Sequence, residues 1–524
     1  MPRRRLLLGL LFSWMVLLAS PASSWTAQTE RVADFTHQLD QEVPGLLRSY
    51  DVPGTSLALV EDGEVVWEQG YGMADVTARK PVRSDSVFQA ASISKAVSAW
   101  GVMRLVEQGK LDLDAPVERY LTRWHLPPSR FDAQGVTIRR LLSHTSGLSA
   151  GLSTGYGGFE PGKPLPTLEE SLAGKTTVKG GLRIVSAPGS SFRYSGANYL
   201  VLQLLIEEVT GLPFGTYMRQ ELLEPLGMTH SSYNWTPEMQ SATARAYDAW
   251  GQPLPNYIIP ERAAGGFYTT APDLARFVAA HMSGPRGQAA GRGVLTPETL
   301  RQMLTPHPAT QGAPFGDRWG LGYQLTEAGS ARLVQHSGDN IGWKTWAVFQ
   351  PEAGTGFVVL TNSDRGANLG VELTRRWLQW SGVGDQIGIW RLFWQIDLGL
   401  KSVAGLLSAL VLLHGWRLVA QLHSGHRRLG LGSVKSPIRR KAARVMLLMV
   451  LPLAVAVGWW VVAYRLPLAG GFAVKYPYSA VLPLSLHYVT ASLAVWSLAL
   501  ITTAFCPRTP SKTAERGSGQ DRYL

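Results

Sequence analysis

Val87-Phe-Gln-Ala-Ala-Ser92-Ile-Ser-Lys95 is the stretch on which the reading of this chain turns. If a helix begins at Ser92, then Ser92 and Lys95 lie one turn apart on the same face. A serine hydroxyl is a poor nucleophile until a base takes its proton. Lysine can be that base if desolvation or a neighbouring cation lowers its pKa from ~10.4. A helix N-terminus also directs backbone N–H groups toward charge developing near the serine. The lead-in Phe88-Gln-Ala-Ala91 carries no charge and would bury the helix start. By itself S-x-x-K recurs by chance and equally describes a capping serine followed by a surface lysine.

Working outward, the segments from Trp25 to Gly384 mix helix and strand. Thr55–Val60 and Glu64–Tyr71 flank Glu61-Asp62-Gly63, a hairpin signal. Ser94 to Gln108 and Asn198 to Thr210 predict apolar helices closed by Gly109 and Gly211. Thr270-Ala-Pro-Asp273 and Thr296-Pro-Glu298 mark helix starts. Arg332–His336, Lys344–Gln350 and Gly356–Thr361 predict strands, and Leu369–Trp380 a closing helix. Strands at both chain ends with helices between them suit one antiparallel sheet, an α/β (α+β) fold with flanking helices.

Beyond this region the solvent changes. Met1-Pro-Arg-Arg-Arg5, an apolar run to Ala19 and Ser20-Pro21-Ala22 predict a signal peptide over 1–24, with an uncleaved anchor as the alternative. From 385 to 524 the composition predicts a membrane region with about three transmembrane helices, near 399–420, 445–464 and 484–505. Trp390 and Trp394 suit an interfacial belt. The connector after the first span holds Arg427, Arg428, Lys435, Arg439, Arg440, Lys441 and Arg444 without an acid. The tail adds Arg508, Lys512, Arg516 and Arg522. An exported start and three crossings would leave both basic stretches in the cytoplasm and the 25–384 domain outside.

This division explains the charge. Lys+Arg 50 against Asp+Glu 38 leaves +12 overall. Residues 389–524 hold +13 and the leader +3, so the remainder is near −4. A domain of that sign has no electrostatic footprint for nucleic acid. One cysteine, Cys506, excludes an internal disulfide framework.

Several motifs, taken in order, resemble the class C β-lactamase and penicillin-binding protein-like serine hydrolase superfamily. They are Ser92-Ile-Ser-Lys95, Leu141-Leu-Ser-His-Thr-Ser-Gly147, Phe192-Arg-Tyr-Ser195 with Asn198-Tyr199, Glu224-Pro-Leu-Gly-Met228, Gly265-Gly-Phe-Tyr-Thr-Thr-Ala-Pro-Asp273 and His336-Ser-Gly338. The resemblance covers about Phe35 to Trp380. It implies an acylated nucleophile at Ser92, a proton partner at Lys95 and a general base or acid at Tyr194. It places His336, Ser337 and Gly338 on a strand lining the site. The backbone N–H of Asp339 would join that of Ser92 in an oxyanion hole. His144 is expected to be structural; His336 also reads as a strand-end histidine satisfied by backbone.

Two departures narrow the activity. Gly196 stands where the β-lactamases carry an asparagine that holds the substrate's acylamido group, and Asn198 is expected to sit inside the helix. His336 replaces a fixed lysine charge. Both lean away from a dedicated β-lactamase toward an esterase or D-amino-acid peptidase acting on a small molecule or peptide outside the membrane. A slowly acylating penicillin-binding or sensor domain that signals through its spans is the alternative, as is a weak β-lactamase. Gly147-Leu-Ser-Ala-Gly151 and Gly151-Leu-Ser-Thr-Gly155 match a nucleophile elbow but are followed by loop, not helix. No H-x-x-x-H pair or phosphate-binding glycine loop occurs, so neither metal nor cofactor is expected. Nothing in the sequence sets an oligomeric state.

Overall fold

The computed structural model describes residues 21–149, 158–175, 180–311, 318–328, 331–384 and 388–427, with helical positions at 489, 492, 493, 495, 496 and 499. The chain divides into two compact units, Met1–Gly384 and Asp385–Leu524.

In the first unit the turn at Asp62-Gly63 forms. Both residues take positive φ, 51° and 67°, the left-handed pair of a type I′ hairpin turn. They join β1 (Gly54–Glu61) to β2 (Glu64–Asp75). The other edge of β1 pairs with β10 (Thr355–Thr361), with Thr55 opposite Thr361 and Val60 opposite Gly356. The remaining strands are β3 (Lys80–Pro81), β6 (Arg318–Trp319), β7 (Gln324–Ala328), β8 (Ala331–Asn340) and β9 (Trp343–Gln350). The sheet runs β3-β2-β1-β10-β9-β8-β7-β6. All its pairings are antiparallel. A separate pair, β4 (Phe88–Gln89) and β5 (Tyr268–Thr269), lies beside it.

Both faces of the sheet are covered, and β1 and β10 are buried at every residue. That is why they read as continuous apolar runs and not as alternating ones. Helix α1 (Pro21–Tyr50) buries Phe35, Leu39, Val43 and Leu47, one residue per turn. An interior Pro44 masks this helix in the sequence, because proline ordinarily ends one. Phe357 packs edge-on to Phe35 and parallel to Trp377 of α5 (Gly366–Trp380). The next residue back, Gly356, faces Val278 of α4 (Ala271–Ala279) on the opposite side. Trp380 stacks on Phe35 at 4.9 Å and donates from Nε1 to the Arg31 carbonyl at 3.1 Å. The middle of α1 and the end of α5 are thereby stapled together.

Helix α2 (Ile93–Glu107) runs through the interior, so it shows no single apolar stripe; Ser94, Lys95 and Ser98 are buried with the rest. Helix α3 (Gly196–Thr210) ends at Gly211, whose φ of 68° closes it in the left-handed conformation.

In the second unit α6 (Gly388–His423) includes Gly399–His423, long and apolar enough to cross a membrane by length and composition. The expected span at 445–464, most of that at 484–505, and leader residues 1–20 lie outside the described residues.

Candidate active site

The nucleophile position is built by an unusual turn. Ala91 adopts φ of 50°, a conformation that costs a non-glycine residue about 1–3 kcal/mol and persists only where its surroundings impose it. Here they do. The Ala90 N–H donates to the Phe267 carbonyl at 2.8 Å, and the Ala90 carbonyl accepts from Thr345 Oγ1 at 2.9 Å. The Ala91 carbonyl accepts from the Ser94 hydroxyl. Ser92 then opens α2 without spending its hydroxyl on a cap. That hydroxyl accepts from Lys95 Nζ at 3.0 Å.

Lys95 is 3% exposed. Its other hydrogen-bond acceptor is the Ala264 carbonyl at 2.6 Å. The rings of Tyr194 and Tyr199 lie 5.2 and 5.8 Å from Nζ. These partners are neutral, so burial lowers the ammonium to about 7. A lysine free to be unprotonated near neutral pH is in hydrogen-bond contact with a serine hydroxyl.

Tyr194 rests on His144, ring centroids 4.4 Å apart, and on Trp319 at 5.6 Å. His144 sits in the tight turn of its motif with φ of 56°. Its Nδ1 accepts from the Ser195 N–H at 3.2 Å and from Asn198 Nδ2 at 3.1 Å. The proton therefore sits on Nε2, and burial pushes the ring well below its usual pKa. Asn198 Oδ1 accepts from Ser146 Oγ at 2.8 Å. The amide of Asn198 thus ties the turn to α3. Gly196 leaves a notch: a Cβ there would meet only Ala264 Cβ, at 3.9 Å.

Strand β8 supplies the opposite wall. It runs past the expected His336 to Asn340, and its pairing changes midway. β7 accompanies it only to Gln335, whereas β9 continues from Val334 to Asn340. Residues 336–340 therefore present one edge outside the ladder. The two-residue turn Ile341-Gly342 closes on Asn340 opposite Trp343. In such a hairpin the closing pair exchanges both hydrogen bonds and the next pair exchanges none, so the N–H of Asp339 points away from β9. Gly338 lies against the nucleophile turn, where a Cβ would fall 2.3 Å from the Ala90 carbonyl and 2.2 Å from Thr345 Oγ1. Only glycine lets the strand come this close.

His336 is 4% exposed. Its Nδ1 is 2.7 Å from the Ser337 carbonyl, which can only accept, so Nδ1 carries the proton. Nε2 is a buried lone pair with no partner. Burial, reinforced by the charge of Lys95, lowers this ring to about 3. Ser337 and Asp339 alternate onto the exposed face.

The structure thus brings Ser92, Lys95, Tyr194, His336 and the 337–339 backbone together. Trp319, which packs on Tyr194 and His336, and the Ala264 carbonyl carry no sequence signal. Nor does Lys344 in β9, a buried ammonium bonded to Asp339 Oδ1 at 2.8 Å and Asp364 Oδ1 at 2.7 Å. Among the described residues no three His, Cys, Asp or Glu side chains cluster as metal ligands.

A model of the family described as Beta-lactamase matches residues 39–379. The chain belongs to the β-lactamase family. The family match stops short of the second unit. Esterase EstB of Burkholderia gladioli is 31% identical over 349 residues, 60% of this chain and 86% of that one. Protein flp of Staphylococcus aureus is 24% identical over 342 residues, 64% of each, so the chain spans under two thirds of that relative. The octameric penicillin-binding protein homologue from Pyrococcus abyssi superposes with a TM-score of 0.52 at 28% identity, covering 63% of this chain and 74% of that one.

Proposed function

We propose that this β-lactamase-family domain is a serine hydrolase of the esterase or D-amino-acid peptidase type. The observation that carries the reading is a buried lysine bonded to two neutral groups, a backbone carbonyl and a serine hydroxyl at the start of a helix. Ser92 Oγ attacks an ester or amide carbonyl while the unprotonated amine of Lys95 takes its proton. The carbonyl oxygen gathers charge between the N–H groups of Ser92 and Asp339. Tyr194, beside Lys95, moves a proton to the leaving group. Water then cleaves the acyl-enzyme by the reverse proton path. His336 lines this path as a neutral acceptor.

The likeness to esterase EstB supports the ester branch, and the penicillin-binding homologue supports the peptide branch. The Gly196 notch favours both over β-lactam turnover, because a glycine offers no side chain to grip an acylamido group. A membrane-anchored, exported arrangement is part of this proposal. It is supported by Gly399–His423 and by the basic connector and tail. The second reading, a sensor that acylates slowly and signals through its spans, is favoured by the further apolar stretches near 445–464 and 484–505, more than a tether requires.

Full-length protein and its Ser92→Ala variant, treated with a fluorophosphonate and a labelled penicillin, separate the two. Rapid Ser92-dependent labelling that decays supports the hydrolase. A long-lived penicillin adduct supports the sensor. Absence of Ser92-dependent label with either reagent sinks both.

A further inference from the structure

The charges around the β8 wall do not balance, and the imbalance bears on what the cleft accepts. Lys344 is buried between two carboxylates. Asp364 is 2% exposed in its side chain, and its Oδ1 accepts from Lys344 Nζ and from the Gly342 N–H, each at 2.7 Å. Two donors on one oxygen suit the ionised acid. Lys344 is thus one ammonium shared by two carboxylates. Asp339 also reaches that ammonium, at 2.8 Å, but its side chain remains 56% exposed. The three groups together carry one surplus negative charge, and its only exposed carrier is Asp339.

Asp339 is the residue whose N–H lies on the open edge of β8, and its side chain, on the exposed face and bonded to Lys344 of β9, lies within one side-chain length of a substrate lying along that edge. The cation bonded to it on this wall, Lys344, is shared with Asp364. His336, on the other face of the strand, turns an unpartnered lone pair inward and not an N–H. Lys95 is enclosed and committed to Ser92 and Ala264.

We propose that the cleft selects esters or amides that are neutral or cationic beside β8 and discriminates against carboxylates, with Asp339 as the determinant. This inference rests on the hydrolase reading above and names its substrate class. A carboxylate brought to the rim meets a like charge, whereas a hydroxyl, amide N–H or ammonium meets an acceptor.

The test compares kcat/KM on the full-length enzyme for two series of near-isosteric esters. In one the acyl group varies: p-nitrophenyl butyrate, p-nitrophenyl hemisuccinate and p-nitrophenyl 4-(trimethylammonio)butyrate. In the other the leaving group varies: phenyl acetate and 4-carboxyphenyl acetate. In at least one series the anionic member should run at least about tenfold slower than the neutral one. That ratio should narrow at least threefold in Asp339→Asn, and also in wild type at 0.5 M salt, where the Debye length falls to a few ångströms. Ratios near one in both series overturn the proposal, as does a gap that both the substitution and salt leave intact. A preference for the anion would show that Lys344 governs the rim and would overturn it too. Loss of Ser92-dependent turnover on the neutral esters has a different meaning: it removes the hydrolase reading itself, and this inference with it.

Discussion

Lys95 and Lys344 are each 3% exposed, yet they occupy opposite electrostatic worlds. Lys95 touches a hydroxyl and a carbonyl, and burial draws its pKa down to about 7. Burial also pushes Lys344 down, but the carboxylates of Asp339 and Asp364 more than offset this and hold it above the ordinary lysine value. Burial is common to both, so the partners decide which can lose its proton near neutral pH and which stays a cation. The same contrast divides stability from chemistry. A charge left short of counter-charge is useful and costly, whereas a compensated one is inert and cannot lose its partners.

The largest expected effect breaks the chemical half of this contrast. Lys95→Met or Ser92→Ala should lower kcat/KM on a neutral ester by about a thousandfold or more. Lys95→Arg should fail equally, because a guanidinium keeps its proton. Activity comparable to wild type in Lys95→Arg would show that charge, not basicity, is what the site needs.

Next comes the structural half. Lys344→Met should cost about 3–5 kcal/mol in chemical denaturation, because the buried Asp364 loses its cation. Adding Asp364→Asn should recover part of that loss. A single variant within about 1 kcal/mol of wild type would mean that the pair is solvated after all.

Lys95→Met should move stability the other way. The native pKa lies below the unfolded value, so between about pH 7 and 10 the native state binds fewer protons than the unfolded one. The resulting destabilisation is fully present below pH 7 and is relieved as pH rises toward 10. Removing the amine should stabilise the fold by roughly 1–4 kcal/mol at pH 7, with the gain shrinking at pH 10. By the same sign, wild-type kcat/KM should rise with pH through about 7, since the free amine is the reactive form. A flat profile from pH 6 to 8 would contradict this role.

The smallest effect concerns neither lysine. Gly196→Asn fits its notch, with only Ala264 Cβ nearby. It should change stability by under about 1 kcal/mol and raise hydrolysis of a chromogenic cephalosporin by up to roughly tenfold. An unchanged rate would mean that the missing side chain is not what limits that reaction.

Much of the fold is legible in the chain because its signals are local. Asp62-Gly63 must turn, Gly211 must close a helix, and Thr270 and Thr296 cap the helices that follow them, accepting from the N–H of Asp273 and Thr299. Helix α1 is less visible, since Pro44 interrupts a clean four-residue apolar repeat that tertiary burial keeps helical. The continuation of β8 through His336-Ser-Gly-Asp339 is hidden for another reason. That stretch is polar on both faces by sequence, and it is held extended by β9 and by contact with the nucleophile turn.

Residue order alone sets out the chemistry on offer: a serine and a lysine one turn apart, a tyrosine and a histidine in motifs of one family, and a mildly acidic domain beside an apolar, basic region. Those are matters of residue type and short spacing, which a linear string records. Three-dimensional packing settles which lysine burial depresses, which imidazole nitrogen holds its proton, and that Asp339 stays exposed beside a buried ammonium. Each of these is fixed by partners far away in the chain, Ala264 for Lys95 and Asp364 for Lys344. Electrostatics depends on distance and burial in space, not on order along the backbone.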